Sequence, residues 1–254
     1  MAATSSNGSP GWEAVTQQKR NDLLDCIPPH WRLDERELDS AKTQTDARIA
    51  VPAFLSPLER TITSLSAHVL LKAIQAGDYT AREVVGAFSH RAVLAHQLTN
   101  CLSELDLASA MVRAQELEIL LREQSRPVGP LHGLPVSLMD RFNVEGLDSA
   151  CGFTSWIGRP KTAADEGILL RSLRRAGAII YCKTSVPMGA LVRTLSSCPH
   201  VSFLMLTMSH TGRQIGETIN NIHGFTVNPC NTALSAGGAG GGESCLEMHL
   251  LETL

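Results

Sequence analysis

Aromatic side chains make up only 4% of this 254-residue chain. So few rings do not supply the stacking platforms that single-stranded nucleic acid needs. No basic block compensates: net charge is −3 and the Lys and Arg residues are dispersed, which argues against nucleic acid as a partner. There is no run of about 18 apolar residues, so no membrane-crossing helix is expected. The opening MAATSSNGSPGWEAVTQQKR lacks the apolar stretch of a secretory signal. There is also no C-x-x-C. The seven cysteines (Cys26, Cys101, Cys151, Cys182, Cys198, Cys230, Cys245) are scattered and odd in number. That pattern argues for reduced thiols in a cytoplasmic protein and against zinc. No metal and no cofactor are expected, and no particular protein partner is indicated.

What is present suits a packed interior. Hydrophobic residues reach 43% and charged residues 19%, the balance of an ordinary globular protein. Residues 1–10 are small and polar and are expected to be disordered. From Gly11 to Leu33 a helix is expected, with Val15, Leu23, Leu24 and Ile27 on its apolar stripe and Pro28-Pro29 ending it. Residues 34–60 read as a charged, irregular arm or linker, so residues 1–60 form an N-terminal unit and 61–254 the main domain.

Periodicity sharpens at Ser66. SAHVLLKAIQAG predicts a short helix closed by Gly77. Thr80-Ala81-Arg82-Glu83 is a capping box that opens a helix over 81–96, with Val84, Val85, Phe88, Ala92 and Leu94 inward. Another helix is expected over 107–123, on Met111, Ala114, Leu117, Leu120 and Leu121. LPVSLM from Leu134 reads as a strand, ADEGILLRSLRRAG (164–177) as an amphipathic helix and AIIYC (178–182) as a buried strand. Strand, helix, strand predicts an α/β fold, a sheet covered by helices.

One cluster invites a ligand. Five of the six residues from Gly237 to Gly242 are glycine, which lets backbone amides approach an anion at a following helix. The P-loop continuation G-K-[ST] is missing, because G-E-S follows. On glycine content alone, a flexible loop competes evenly with a binding loop.

The order of the segments adds a resemblance. AHQLTNCLSE (95–104), PVGPLHGLPVSLMDRFNVEG (127–146), GFTSWIG (152–158), LRRAGAIIYCKTSVP (173–187), GETINNIHGFTVNP (216–229) and LSAGGAGGGE (234–243) together resemble the amidase signature family, in particular its fungal acetamidase-like branch. The likeness covers roughly residues 10–187 and 215–243. It implies the N-terminal part of a larger α/β fold, with a mixed sheet covered by helices. It also implies an enzyme class that hydrolyses carbon–nitrogen amide bonds, with a small amide as substrate of intact relatives. In that family a nucleophilic serine, a relay serine on a cis peptide and a lysine base form the catalytic triad. Burial lowers a lysine's pKa, which suits the last role.

The family lysine ends the pattern G-[LIV]-P-[VI]-x-[LVI]-K-D. Here Gly133-Leu134-Pro135-Val136-Ser137-Leu138-Met139-Asp140 stands instead, so Met139 occupies the base position. Methionine keeps the unbranched volume and carries no titratable group. The relay serine of S-x-G-G-S-S-G-G-E is replaced by Ala239, and the nucleophile segment is expected beyond Leu254. Gly237 and Gly238 are the residues the resemblance would place at substrate. Lys183 and His132 are expected to be structural, and Asp140 and Glu217 to position loops.

Two stretches depart from the family. Residues 188–214 have no likeness to it and read as a retained intron translated in frame, or as a surface insertion. Within them, Val201–Met208 is apolar and aggregation-prone in type. The tail 244–254 reads as a frameshifted end or the mark of a missed exon. The resulting expectation is a truncated, catalytically silent family member, insoluble by itself because of open sheet edges. The alternatives are an amidase restored by a corrected reading of the gene, or a non-catalytic partner of an intact amidase.

Overall fold

The computed structural model describes residues 11–190 and 217–250. The expectations for residues 1–10, for Val201–Met208 and most of the 188–214 stretch, and for the last four residues therefore lie outside the described residues.

Local signals account for most of the helices. α1 (Trp12–Asp25) stops just before Pro28-Pro29. Its buried side chains are Thr16 and Leu23, joined by Ile27 just past its end, while Leu24 is 44% exposed. The expected apolar stripe is thus narrower, because charged contacts rather than a broad greasy face hold α1. The stretch 34–60, expected to be irregular, instead forms α2 (Glu35–Lys42), α3 (Val51–Phe54) and the first half of α4 (Pro57–Ser64). Capping boxes start α2 and α4. Asp34 and Glu37 exchange backbone and side-chain bonds at 2.7 and 2.8 Å, and Ser56 and Glu59 do the same at 3.2 and 2.8 Å. α5 (Ala67–Ala76) closes on Gly77, whose φ of 81° is left-handed.

α6 (Ala81–Thr99) begins at the Thr80–Glu83 capping box, as expected. It runs three residues past its expected end and is buried along most of its length. Helices and strands surround it. Leu94 and Leu98 pack against Ala41, Val51 and Leu55 of the N-terminal segment. Val84 and Ala87 pack against Ile62, Leu70 and Ile74. Val85, Ala92 and Val93 face the sheet and the helix α7 described next. Its buried polar residue Arg91 is bonded to Thr63 Oγ1 and to the His249 carbonyl, each at 2.6 Å.

β1 (Leu102–Leu105) and α7 (Leu107–Gln124) follow, then β2 (Pro135–Met139), α8 (Ile168–Arg175) and β3 (Ile179–Thr184). The three strands form a mixed sheet in the order β1-β3-β2. β2 runs parallel to β3, joined by the crossover through α8, and β1 runs antiparallel to β3. β3 is buried at every position, as a central strand covered on both faces must be. β1 had no local signal: LSEL is short and half polar, and it is a strand because it pairs with β3. The expected helix 164–177 is shorter, since Gly167 caps it and only a 3-10 turn, Ala163–Asp165, precedes it.

β4 (Ile219–Asn220) and β5 (Gly224–Phe225) make a small hairpin. α9 (Gly241–Leu250) then packs on α6 and the sheet. The residues from Ser244 to Leu250, read as an atypical tail, therefore continue a helix that buries Cys245, Leu246 and His249.

Thr80→Ala should lower unfolding free energy by about 1 kcal/mol, the usual loss for an N-cap hydroxyl. Ser66→Ala should change it by only a few tenths, because Ser66 makes no side-chain cap bond. Urea denaturation of both variants, compared through their midpoints, tests the contrast.

Candidate functional site

Parallel strands β2 and β3 end side by side, with Met139 paired to Thr184. Ligand sites in such sheets gather beyond the carboxyl ends of the strands. Half-buried Met139 is the last residue of β2, and Asp140 follows it. The Asp140 amide donates to the Thr184 carbonyl at 3.0 Å, and its Oδ2 accepts the Cys151 amide at 2.7 Å.

The cation at this end of the sheet is Lys183. It is fully buried, and its Nζ meets Asp140 Oδ1 at 3.0 Å, the Asp148 carbonyl at 2.5 Å and Ser149 Oγ at 3.0 Å. Two of these contacts are hydrogen bonds, to Asp148 and Ser149, and the third is an ion pair with Asp140. The geometry therefore makes Lys183 a strut that holds the loop 140–151 onto the sheet.

The glycine run is packed rather than loose. Thr218 Oγ1 lies 2.8 Å from the Gly237 carbonyl and 2.7 Å from that of Gly238. A Cβ on Gly241 would sit 2.0 Å from Thr218 Oγ1, and one on Gly242 would sit 2.2 Å from the Ser185 carbonyl. Both distances are far inside van der Waals contact, so these two positions admit only glycine without movement. Glu243, in the first turn of α9, accepts from Thr184 Oγ1 at 2.8 Å and from Ser137 Oγ. The glycines thus let α9 close onto β2 and β3, and Glu243 bolts it there. Ala239 is exposed just before this helix. Among the described residues no peptide bond is cis.

The other expected residues are structural in their contacts. His132 is buried, its Nδ1 accepts the Val128 amide at 3.1 Å, and the chain at Gly177 passes directly against its backbone. The Glu217 carbonyl accepts the Ile219 amide at 3.1 Å in the turn before β4. Gly237 and Gly238 lie on the approach to α9, four and three residues before its first residue.

Sequence reasoning missed the link from α1. Lys19 Nζ lies 2.6 Å from Glu104 Oε1 and 2.9 Å from Asp148 Oδ2. Asp148 also accepts the amides of Gly158 and Arg159 at 3.0 and 2.8 Å. Burial pushes the Asp148 carboxyl up, but Lys19 and those two amides outweigh it and leave its pKa below the usual value. Burial dominates at Glu104 and raises its pKa to about 7 against the pull of Lys19. Arg20 Nε adds a 2.5 Å bond to the Ile222 carbonyl. No local pattern announces these contacts, because the partners are far apart in sequence.

A mixed sheet whose parallel strands end at an acidic turn, closed by a glycine-started helix, makes this an α/β protein. The Amidase sequence profile matches residues 83–246, and the chain belongs to the amidase signature family. It is 38% identical over 237 residues to an acetamidase from Emericella nidulans, which spans 92% of this chain and 38% of the relative. An acetamidase from Aspergillus oryzae is 36% identical over 238 residues, covering 94% and 38% respectively. Among solved structures, a fatty acid amide hydrolase superposes with a TM-score of 0.77 at 32% identity, over 94% of this chain and 38% of that one. The resemblance read from the sequence motifs is borne out, as is the N-terminal portion of the fold. The chain spans 38% of the length of these relatives.

Lys183→Met should cost about 3–5 kcal/mol, because it strands the buried Asp140 carboxylate without its cation. Thermal and urea unfolding measure it, and a loss under about 1 kcal/mol would remove the strut from the account. A second outcome concerns pH. The Glu104 carboxyl binds its proton more tightly folded (about 7) than unfolded (about 4.5). Its ionisation therefore penalises the fold increasingly as pH rises from about 4.5 to about 7. Glu104→Gln lacks that penalty, so its stability relative to the parent should improve across this window. Urea midpoints at several pH values read the trend.

Proposed function

We propose that this chain is a catalytically silent member of the amidase family, a pseudoenzyme that keeps the fold's N-terminal framework without its proton-transfer chemistry. The observation that carries this reading is at the end of β2. Met139 stands in the position of the family's lysine, and the neighbouring lysine, Lys183, is buried, hydrogen-bonded to Asp148 and Ser149 and ion-paired with Asp140. A thioether accepts no proton at neutral pH. At the relay position the Ala239 methyl offers neither donor nor acceptor.

The chemistry needs all its members together. Amide hydrolysis by a serine nucleophile requires a base to take the hydroxyl proton and to return it to the leaving amine. Loss of one member of such a coupled set costs about 10³–10⁶-fold in rate. Two of the three positions are altered within the residues at hand. We assign the protein to the cytoplasm, which the free thiols of Cys26, Cys101, Cys151, Cys182, Cys230 and Cys245 support. A small amide is the substrate class of its intact relatives.

The purified chain should show no hydrolysis above background with a panel of small aliphatic and aryl amides. Met139→Lys alone and Ala239→Ser alone should leave it silent. The reciprocal changes, lysine to methionine and serine to alanine at the matching positions of the Emericella nidulans acetamidase, should each cost about 10³-fold or more. Turnover by the unaltered chain, or a fully active reciprocal variant, would overturn the proposal.

A further inference from the structure

α1, the segment leading into α2, the end of α6 and the β4–β5 hairpin enclose a cavity of about 400 Å³, remote from the Met139 end of the sheet in its lining. That volume lies within the range of small-molecule sites, about 300–1,000 Å³. Its walls are apolar, with Leu23, Leu24, Leu33 and Leu38 among them. Two guanidinium groups, Arg20 and Arg32, also line it, and none of its lining residues is acidic. The chain as a whole is anionic, at −3, so this pair of cations is a local feature and not a general surface property.

Two imidazoles complete the lining. His96 and His223 are 9% and 7% exposed. The Nδ1 of His96 accepts the Leu102 amide at 3.1 Å, so its proton sits on Nε2, which has no acceptor among the described residues. His223 makes bonds through its backbone amide and carbonyl, while its ring nitrogens have no partner among the described residues. Burial pushes the pKa of His96 down to about 4 and that of His223 to about 3, so both rings are neutral near pH 7. They act there as hydrogen-bonding groups, and the charge comes from the arginines.

Each arginine is anchored through Nε, and Arg20 also gives an Nη2–H to the Asn221 carbonyl at 3.4 Å, which leaves its Nη1 for a ligand. Arg20 Nε holds the Ile222 carbonyl at 2.5 Å, and Arg32 Nε holds the Ile27 carbonyl at 3.0 Å. The acidic group beside them is Asp25, 3.6 Å from Arg32 with a side chain 77% exposed to water. Anchored guanidinium groups suit a carboxylate, whose two oxygens match their paired donors. The leucines suit an alkyl chain behind it.

We propose that this cavity is a binding site for a linear aliphatic monocarboxylate, its carboxylate held by Arg20, Arg32 and the two imidazoles and its chain laid against the leucines. The site is independent of the amide chemistry and stands whether or not Met139 and Ala239 silence the chain.

Calorimetric titration of the intact chain with octanoate near pH 7 tests this. Saturable one-to-one binding is expected. Hexanoate should bind about fifteenfold more weakly, given about fourfold for each of the two methylenes it lacks. Octanol should be weaker by about tenfold or more, and octylamine should not saturate. Arg32→Gln should weaken octanoate about tenfold, and Leu38→Trp should fill the cavity and abolish binding. The ligand series needs no variant and so does not depend on whether these variants fold. No saturation with octanoate would overturn the proposal and leave the cavity to water. So would octanol or octylamine binding as tightly as octanoate, or octanoate affinity unchanged in a folded Arg32→Gln variant.

Discussion

The ammonium of Lys183 is the charge around which this structure is arranged. It sits on the central strand with no access to water, where an unpaired charge costs several kcal/mol. It must be matched, and its acceptors come from one loop: Asp140, Asp148 and Ser149. That requirement folds the loop over the ends of β2 and β3. Asp148 then serves twice. Its carbonyl holds Lys183, while its carboxylate holds Lys19 of α1. The N-terminal helix is thereby tied to the sheet through Asp148, and Lys19 also reaches Glu104 of β1.

A second constraint acts on the opposite side of the same strand ends. α9 can approach only because Gly241 and Gly242 have no Cβ to meet Thr218 and Ser185. Once close, Glu243 bonds both Ser137 of β2 and Thr184 of β3. Packing at this end of the sheet therefore leaves no room for a side chain at Gly241 or Gly242, while Met139 beside it is half-buried and Ala239 is exposed. A family scaffold and a family reaction separate at such places, because the first depends on many contacts and the second on a few atoms.

Much of the local structure was legible in advance. The Thr80–Glu83 box, the glycine stop at Gly77 and the strand at Ile179 each rest on neighbours within a few residues. The boxes at Asp34 and Ser56 carried the same signal and lay inside a stretch whose charge masked it. β1 was hidden for a different reason. LSEL has no alternation to read, and its conformation follows from pairing with Cys182 to Thr184 far along the chain. The glycine run was ambiguous between loop and ligand cradle, and the choice depended on Thr218 and Ser185, which no local pattern places nearby.

The sequence by itself determined which chemical groups are available. It established that residue 139 carries a thioether and residue 239 a methyl, that the order of motifs belongs to the amidase signature family, and where most long helices begin. Those are properties of side-chain identity and of neighbours along the chain. Only the tertiary structure decided that Lys183 is a buried strut, that α1 docks through Lys19, and that His96 and His223 share a cavity with Arg20 and Arg32. Each of these depends on groups distant in sequence meeting at hydrogen-bond range or around a common space, and burial then sets their charge and their partners.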